Sequence, residues 1–322
     1  MRDRPRVVVQ DTSSALPSRR VLAATGPIAG YPAWPAQLIM KQGGAVSTGP
    51  THAMSGLMAW GGVSIAVIAD HMPMTPQTWV VGAALCSGAA LLPDLDHPEA
   101  TVANTFGKAS WVLSKGVHWL SHVVYRTTRL RSDANRHGGH RGVTHTLVFA
   151  ALAGLGTYGV VQWAHKIALL PLLFLFCALA VRGLLHEWTP KGHVLGVTVL
   201  SLGLTVLCWH WIDVGPPEQA MWCAVAVAAG CLAHCLGDAI TEQGCPIFWP
   251  IPFSGKTWYP VALPKPMRMR TGGKVELGMV LPVLTVLGVW LSAASLQRTG
   301  VATWVPFDLL TLHHVPAVVA GR

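Results

Sequence analysis

The chain has 322 residues and a net charge of +9, with 52% of its residues apolar and only 11% charged. Soluble domains carry about 25% charged residues, and a mean hydropathy of +0.45 leaves too little polar surface to cover a water-exposed globule. These figures exclude an ordinary soluble enzyme and require a lipid bilayer as partner; no nucleic-acid partner is predicted.

Residues 1–47 are rich in Pro, Gly, Ser and Arg without hydrophobic periodicity, and read as a disordered basic tail. Behind Arg2, Arg4 and Arg6 the longest apolar run is 21–24, too short for a signal peptide, and Met40 is an alternative start. Residues 48–297 read as one membrane-embedded domain, followed by a C-terminal tail, 298–322. A spanning helix needs about 20 mostly apolar residues. Two windows, 53–69 and 78–93, are short but rich in Gly and Ala, which let helices approach closely. Five more, 144–164, 167–185, 194–212, 219–238 and 277–296, complete a prediction of about seven spans, with Arg182 left to snorkel or pair.

Between the second and third windows, residues 102–124 mix Trp111, Val112, Leu113, Trp119 and Leu120 with Lys108, Lys115, His118 and His122. The mixture predicts a helix lying in the membrane interface, or a solvated helix packed on its neighbours. A second loop, 242–276, is dense in Pro and aromatics and is expected at headgroup level. The fold class is therefore an all-α, polytopic membrane helix bundle with an interfacial helix.

Ionisable residues stand at the ends of these windows. His52 begins the first, and Asp94, Asp96 and His97 in the segment PDLDHP close the second. The segment HRGVTH brings His140, Arg141 and His145 to the start of the third. His234 and Asp238 lie near the end of the sixth, and Glu276 opens the seventh. Counting crossings brings every one of these groups to the same face. Of 23 Lys and Arg, only Lys166, Arg298 and Arg322 fall opposite, and positive loops stay in the cytoplasm, so the site is expected to face it.

His234 and Asp238 are four residues apart, on one helical face, as in helix-borne metal pairs or a proton relay. PDLDHP crowds two carboxylates and an imidazole into four residues, and their mutual repulsion calls for a cation. Thr144 is a candidate helix N-cap. Arg141 either grips an anionic substrate oxygen or anchors its loop. Imidazole and carboxylate donors suit a divalent transition metal such as Zn, Mn or Fe. The candidate ligands His52, Asp94, Asp96, His97, His145, His234 and Asp238 outnumber the three that a catalytic zinc takes. Some then orient others, or two ions are bound. Seven cysteines are read as free thiols.

Taken together, the Thr-His pair at 51–52, LLPDLDHP, GHRGVTH, HCLGDAITEQGCPIFWP and TGGKVE resemble the YdjM-type family over residues 50 to about 290. The resemblance implies a membrane-bound, metal-dependent hydrolase of the inner membrane, regulated in some bacteria by the LexA repressor. It maps family residues onto His52, Asp94, Asp96, His97, His140, Arg141, His145, His234, Asp238 and Glu276. The long tail and the extended stretch between His97 and His140 depart from the family pattern.

Two mechanisms are weighed. In hydrolysis, Glu276 or an Asp of PDLDHP serves as general base, and His140 and Arg141 hold the leaving or bridging oxygen. An anionic lipid or phosphoester suits a basic headgroup-level face. The alternatives are an ion- or proton-coupled transporter, or a structural membrane protein stapled by its metal. Ionisable groups clustered at helix ends on one side count against transport.

Overall fold

The computed structural model describes residues 49–69, 74–97, 100, 102–104, 108–133, 141–185, 194–212 and 215–301. The expected N-terminal tail lies outside the described residues, as do His140 and most of the C-terminal tail. Eight α-helices are formed among the described residues: α1 (Gly49–Ala69), α2 (Pro76–Ala89), α3 (Lys108–Thr128), α4 (Leu147–Trp163), α5 (Leu169–Leu185), α6 (Val194–Trp211), α7 (Pro217–Ala239) and α8 (Leu281–Arg298). All but α3 fall on the apolar windows. Four stretches, Pro76–Asp96, Lys166–Leu185, Pro217–Ala239 and Glu276–Arg298, are long and apolar enough to cross a membrane; Leu147–Trp163 and Leu195–Trp211 are shorter apolar helices. The protein is a helical membrane bundle.

Local chemistry sets the helix ends that matter. Thr75 caps α2 by accepting from the Thr78 N–H at 3.1 Å, with Pro76 at the first helical position. The second window was expected to run to Pro93, but α2 ends at Ala89 and the chain tightens into a 3₁₀ turn, Pro93–Asp96. Proline at 93 has no N–H to continue the α-helical ladder. Thr146, not Thr144, caps α4, accepting from Phe149 N at 3.1 Å. Thr144 stands in its own 3₁₀ turn, Val143–His145, and has other work.

Helices α2 and α7 form the centre. α1 packs on both and on α8; α5 packs on α2 and carries α6; α4 packs on α7. The centre is held close by glycine. A Cβ at Gly230 would collide with the Cys86 carbonyl oxygen, and a Cβ at Gly56 would lie 2.7 Å from the same atom. Small residues allow such approaches in a membrane, where packing substitutes for the hydrophobic effect. At the end of the bundle remote from PDLD, polar groups tie three helices. Ser64 and Ser295 share a 2.6 Å hydrogen bond, and the Trp79 indole donates to Ser295 at 2.8 Å.

The expected amphipathic helix forms as α3. Its apolar residues Trp111, Val112, Trp119 and Leu120 face outward, while Ser110, Ser114, Ser121 and Tyr125 are buried against the protein. The loop after α7 clamps its far end. Asp133 accepts from Thr257 at 2.9 Å and from Trp258 N at 3.1 Å, and the Trp249 and Trp258 indoles both donate to the Thr128 hydroxyl.

Candidate metal centre

Four chain segments deliver donors to one point: the start of α1, the turn after α2, the turn before α4 and the last turns of α7. His52, Asp94, His145, His234 and Asp238 are all buried there, none more than 3% exposed. They form two triads, His52–Asp94–His234 and His145–His234–Asp238, and within each triad the donor atoms lie within 4.8 Å of one another. The His145 Nε2 and His234 Nε2 atoms are 3.2 Å apart. Asp94 Oδ1 stands 3.6 Å from His234 Nε2, and Asp238 Oδ2 stands 3.3 Å from His145 Nε2. The His52 ring stacks on His234, centroids 3.9 Å apart.

For His234 and His145 the orientation follows from the other ring nitrogen. His234 Nδ1 donates to the Ala90 carbonyl at 2.8 Å, so its Nε2 carries a lone pair. His145 Nδ1 lies 3.0 Å from the Thr144 hydroxyl, which in turn donates to Asp96 Oδ2 at 2.7 Å. Asp96 is thereby spent on support. Its carboxylate also accepts from Gly142 N and lies 3.4 Å from His145 Nδ1, and its carbonyl accepts from His118 of α3 at 2.8 Å. Metal-ligating histidines are commonly held in this way, by a carbonyl or carboxylate behind the ring.

Arg141 holds the other carboxylate. Its guanidinium donates to Asp238 Oδ1 at 2.9 Å, to Thr241 at 2.8 Å and to the Gly244 carbonyl at 3.0 Å. To reach inward it adopts φ +56°, a left-handed backbone that few non-glycine residues take. Cys245 adds a bond from its thiol to the His145 carbonyl at 3.1 Å.

The fit to a cation rests on what this network leaves over. Asp94 Oδ1, Asp238 Oδ2 and both nitrogens of His52 are buried and make no hydrogen bond among the described residues. Such groups cost about 1–3 kcal/mol each, more when charged. A proton between His145 and His234 would satisfy those two atoms alone. A metal ion satisfies carboxylates and imidazoles together, and nitrogen–oxygen donors suit Zn, Mn or Fe.

Of the seven expected ligands, five converge, while Asp96 stands behind His145 and His97 is half-buried at the end of its turn. Glu276 is fully buried at the head of a π-helical turn, Glu276–Val280, and accepts from Gly272 N at 2.7 Å; it belongs to neither triad. Sequence reasoning gave Thr144 only a capping role and His118 only an interfacial one. The signal for Thr144 was its place beside His145; for His118 nothing in the spacing pointed to Asp96.

Fold and centre together define a helical membrane protein with a buried His–Asp centre able to hold a metal. A family model described as YdjM inner membrane protein matches residues 47–299, and the chain belongs to that family. It is an inner-membrane protein. No curated protein and no solved structure matches it.

Proposed function

We propose that this protein is a metal-dependent hydrolase acting on an ester or phosphoester at the cytoplasmic face of the inner membrane. The observation that carries the reading is the set of buried donor atoms left without hydrogen bonds around His145 and His234. His52, Asp94, His145, His234 and Asp238 would hold the ion. A single centre is favoured, because the two triads share His234, whose Nδ1 is committed to Ala90 and whose Nε2 offers one lone pair. The chemistry such an ion supplies is a water of lowered pKa and a positive charge beside the developing anion.

The chain's own groups do the rest. Thr144 and Asp96 hold His145, the Ala90 carbonyl holds His234, and Arg141 occupies Asp238 Oδ1 so that Oδ2 faces the ion. Three of the five donors suffice for a catalytic zinc. A carboxylate outside these five, with Glu276 the candidate, would accept the proton released from water. Burial of the whole set keeps bulk water from competing.

The test is elemental analysis of the detergent-purified protein, for wild type and for Asp94→Ala and His234→Ala, which sit on different elements. About one equivalent of transition metal is expected in wild type, lost in both variants, with esterase or phosphoesterase activity following metal content. A folded, monodisperse wild type that takes up no metal even on reconstitution would overturn the hydrolase reading and leave a proton or ion pathway.

A further inference from the structure

A cavity of about 280 Å³, just below the roughly 300–1,000 Å³ of small-molecule sites, opens between α3, α5 and the turns after α2. Its walls are Leu95 and Val102 from the turns after α2, Ser110 and Leu113 from α3, and residues of α5 from Pro171 through Phe174 to Leu179. Apart from Ser110 every one of these is apolar. Its link to the centre is Leu95, a lining residue that the chain places between the candidate ligand Asp94 and its supporting neighbour Asp96. From Leu179 to Pro171 the wall follows α5 for two turns, about 12 Å along the axis. Leu113 and Pro171 are exposed and border the mouth, next to the outward apolar residues Trp111 and Val112 of α3.

A water-soluble substrate gains nothing from such an entrance. The medium against this surface is the bilayer, and what it supplies is acyl chain. We propose that the substrate is a membrane lipid, one acyl chain lying in this cavity along α5 and the scissile ester or phosphoester reaching past Leu95 to the His–Asp centre. The proposal rests on the hydrolase reading.

The test uses the full chain in nanodiscs containing phosphatidylglycerol with a photoreactive diazirine in mid-chain, with adducts mapped by peptide mass spectrometry. Adducts are expected on residues 95–113 and 171–179, besides those on the outward faces of α6 and α8 that any surrounding lipid gives. Leu113→Trp, a change at a half-exposed position, is expected to abolish the cavity adducts and leave the surrounding ones and the metal content intact; Leu175→Trp, on the opposite wall, should repeat the result. Surrounding adducts alone in wild type, or cavity adducts that survive both variants, would overturn the proposal. Metal content of the same wild-type sample separates the two readings: cavity adducts without metal would sink the hydrolase and leave a lipid site, whereas metal without cavity adducts would keep the hydrolase and remove the lipid chain.

Discussion

His145 is held by a two-step relay, from its Nδ1 to the Thr144 hydroxyl and from there to Asp96 Oδ2. Thr144→Val keeps the shape of the side chain and removes the relay, leaving Asp96 with one donor fewer and His145 free to turn. Losing a group that orients a ligand typically costs 10–100-fold in metal affinity. That loss is expected in a competition titration against a chromophoric chelator, with Thr144→Ser restoring most of the affinity. An unchanged affinity for Thr144→Val would mean that packing, or the direct 3.4 Å contact of His145 Nδ1 with Asp96 Oδ2, fixes the ring without the hydroxyl. The candidate ligands themselves were legible in the sequence, because His and Asp are rare beside apolar runs and their burial needs a reason. Their division of labour was not. Asp94 and Asp96 are two residues apart and chemically identical, yet one turns to His234 and the other to Thr144, a difference set by the 3₁₀ turn that Pro93 begins. Arg141 likewise admitted two readings, and its bond to Asp238 depends on a left-handed backbone that spacing does not announce.

At the scale of elements, the site exists because three helices come close within a turn or two of their ligands. Gly56 follows His52 by four residues and Gly230 precedes His234 by four, so each glycine shares a face with a candidate ligand. Both faces meet the Cys86 carbonyl on α2, one turn before the Ala90 carbonyl that orients His234. Gly230→Ala is therefore expected to wedge α7 from α2, at the roughly 1–3 kcal/mol of an overpacked core, and to lose metal although no ligand is changed. The control is Gly62→Ala on α1, where an added Cβ meets nothing within 4 Å. Its effect on the melting temperature in detergent should be neutral or stabilising, since Ala is the better helix former. Equal melting and metal content in both variants would show that the close approach is not needed for the site. Helix positions were readable from hydropathy because a bilayer demands long apolar runs. Which helices touch was not readable, since lipid and protein offer the same apolar surroundings to a leucine; only the spacing of Gly to His carried that information. The inward serine stripe of α3 was equally hidden, because its apolar residues suggested the opposite face for packing.

For the whole molecule, the ligand-bearing ends of α1, α2, α4 and α7 come together at one end of the bundle, and the head of α8 brings Glu276 into the same series of crossings. That convergence is what alternate crossings require, since an odd number of intervening spans would have separated His145 from His234. Charge then assigns the side. Lys256, Lys265, Arg268, Arg270 and Lys274 sit in the loop between α7 and α8, whereas the described connections at the opposite end carry Lys166 and Arg298. Positively charged short loops are retained in the cytoplasm, which predicts that the centre lies at the cytoplasmic end of the bundle. Single-cysteine labelling tests this directly, and the seven native cysteines are all buried and free, so they contribute little background. Glu218→Cys, in the first turn of α7, and Lys265→Cys, in the loop that follows α7, are exposed positions on either side of that span. In intact cells a membrane-impermeant maleimide is expected to modify Glu218→Cys, and Lys265→Cys only after permeabilisation. The reverse pattern would turn the centre outward, and the substrate would then have to come from the outer leaflet of the inner membrane, where the basic loop between α7 and α8 would lie against the usual charge bias.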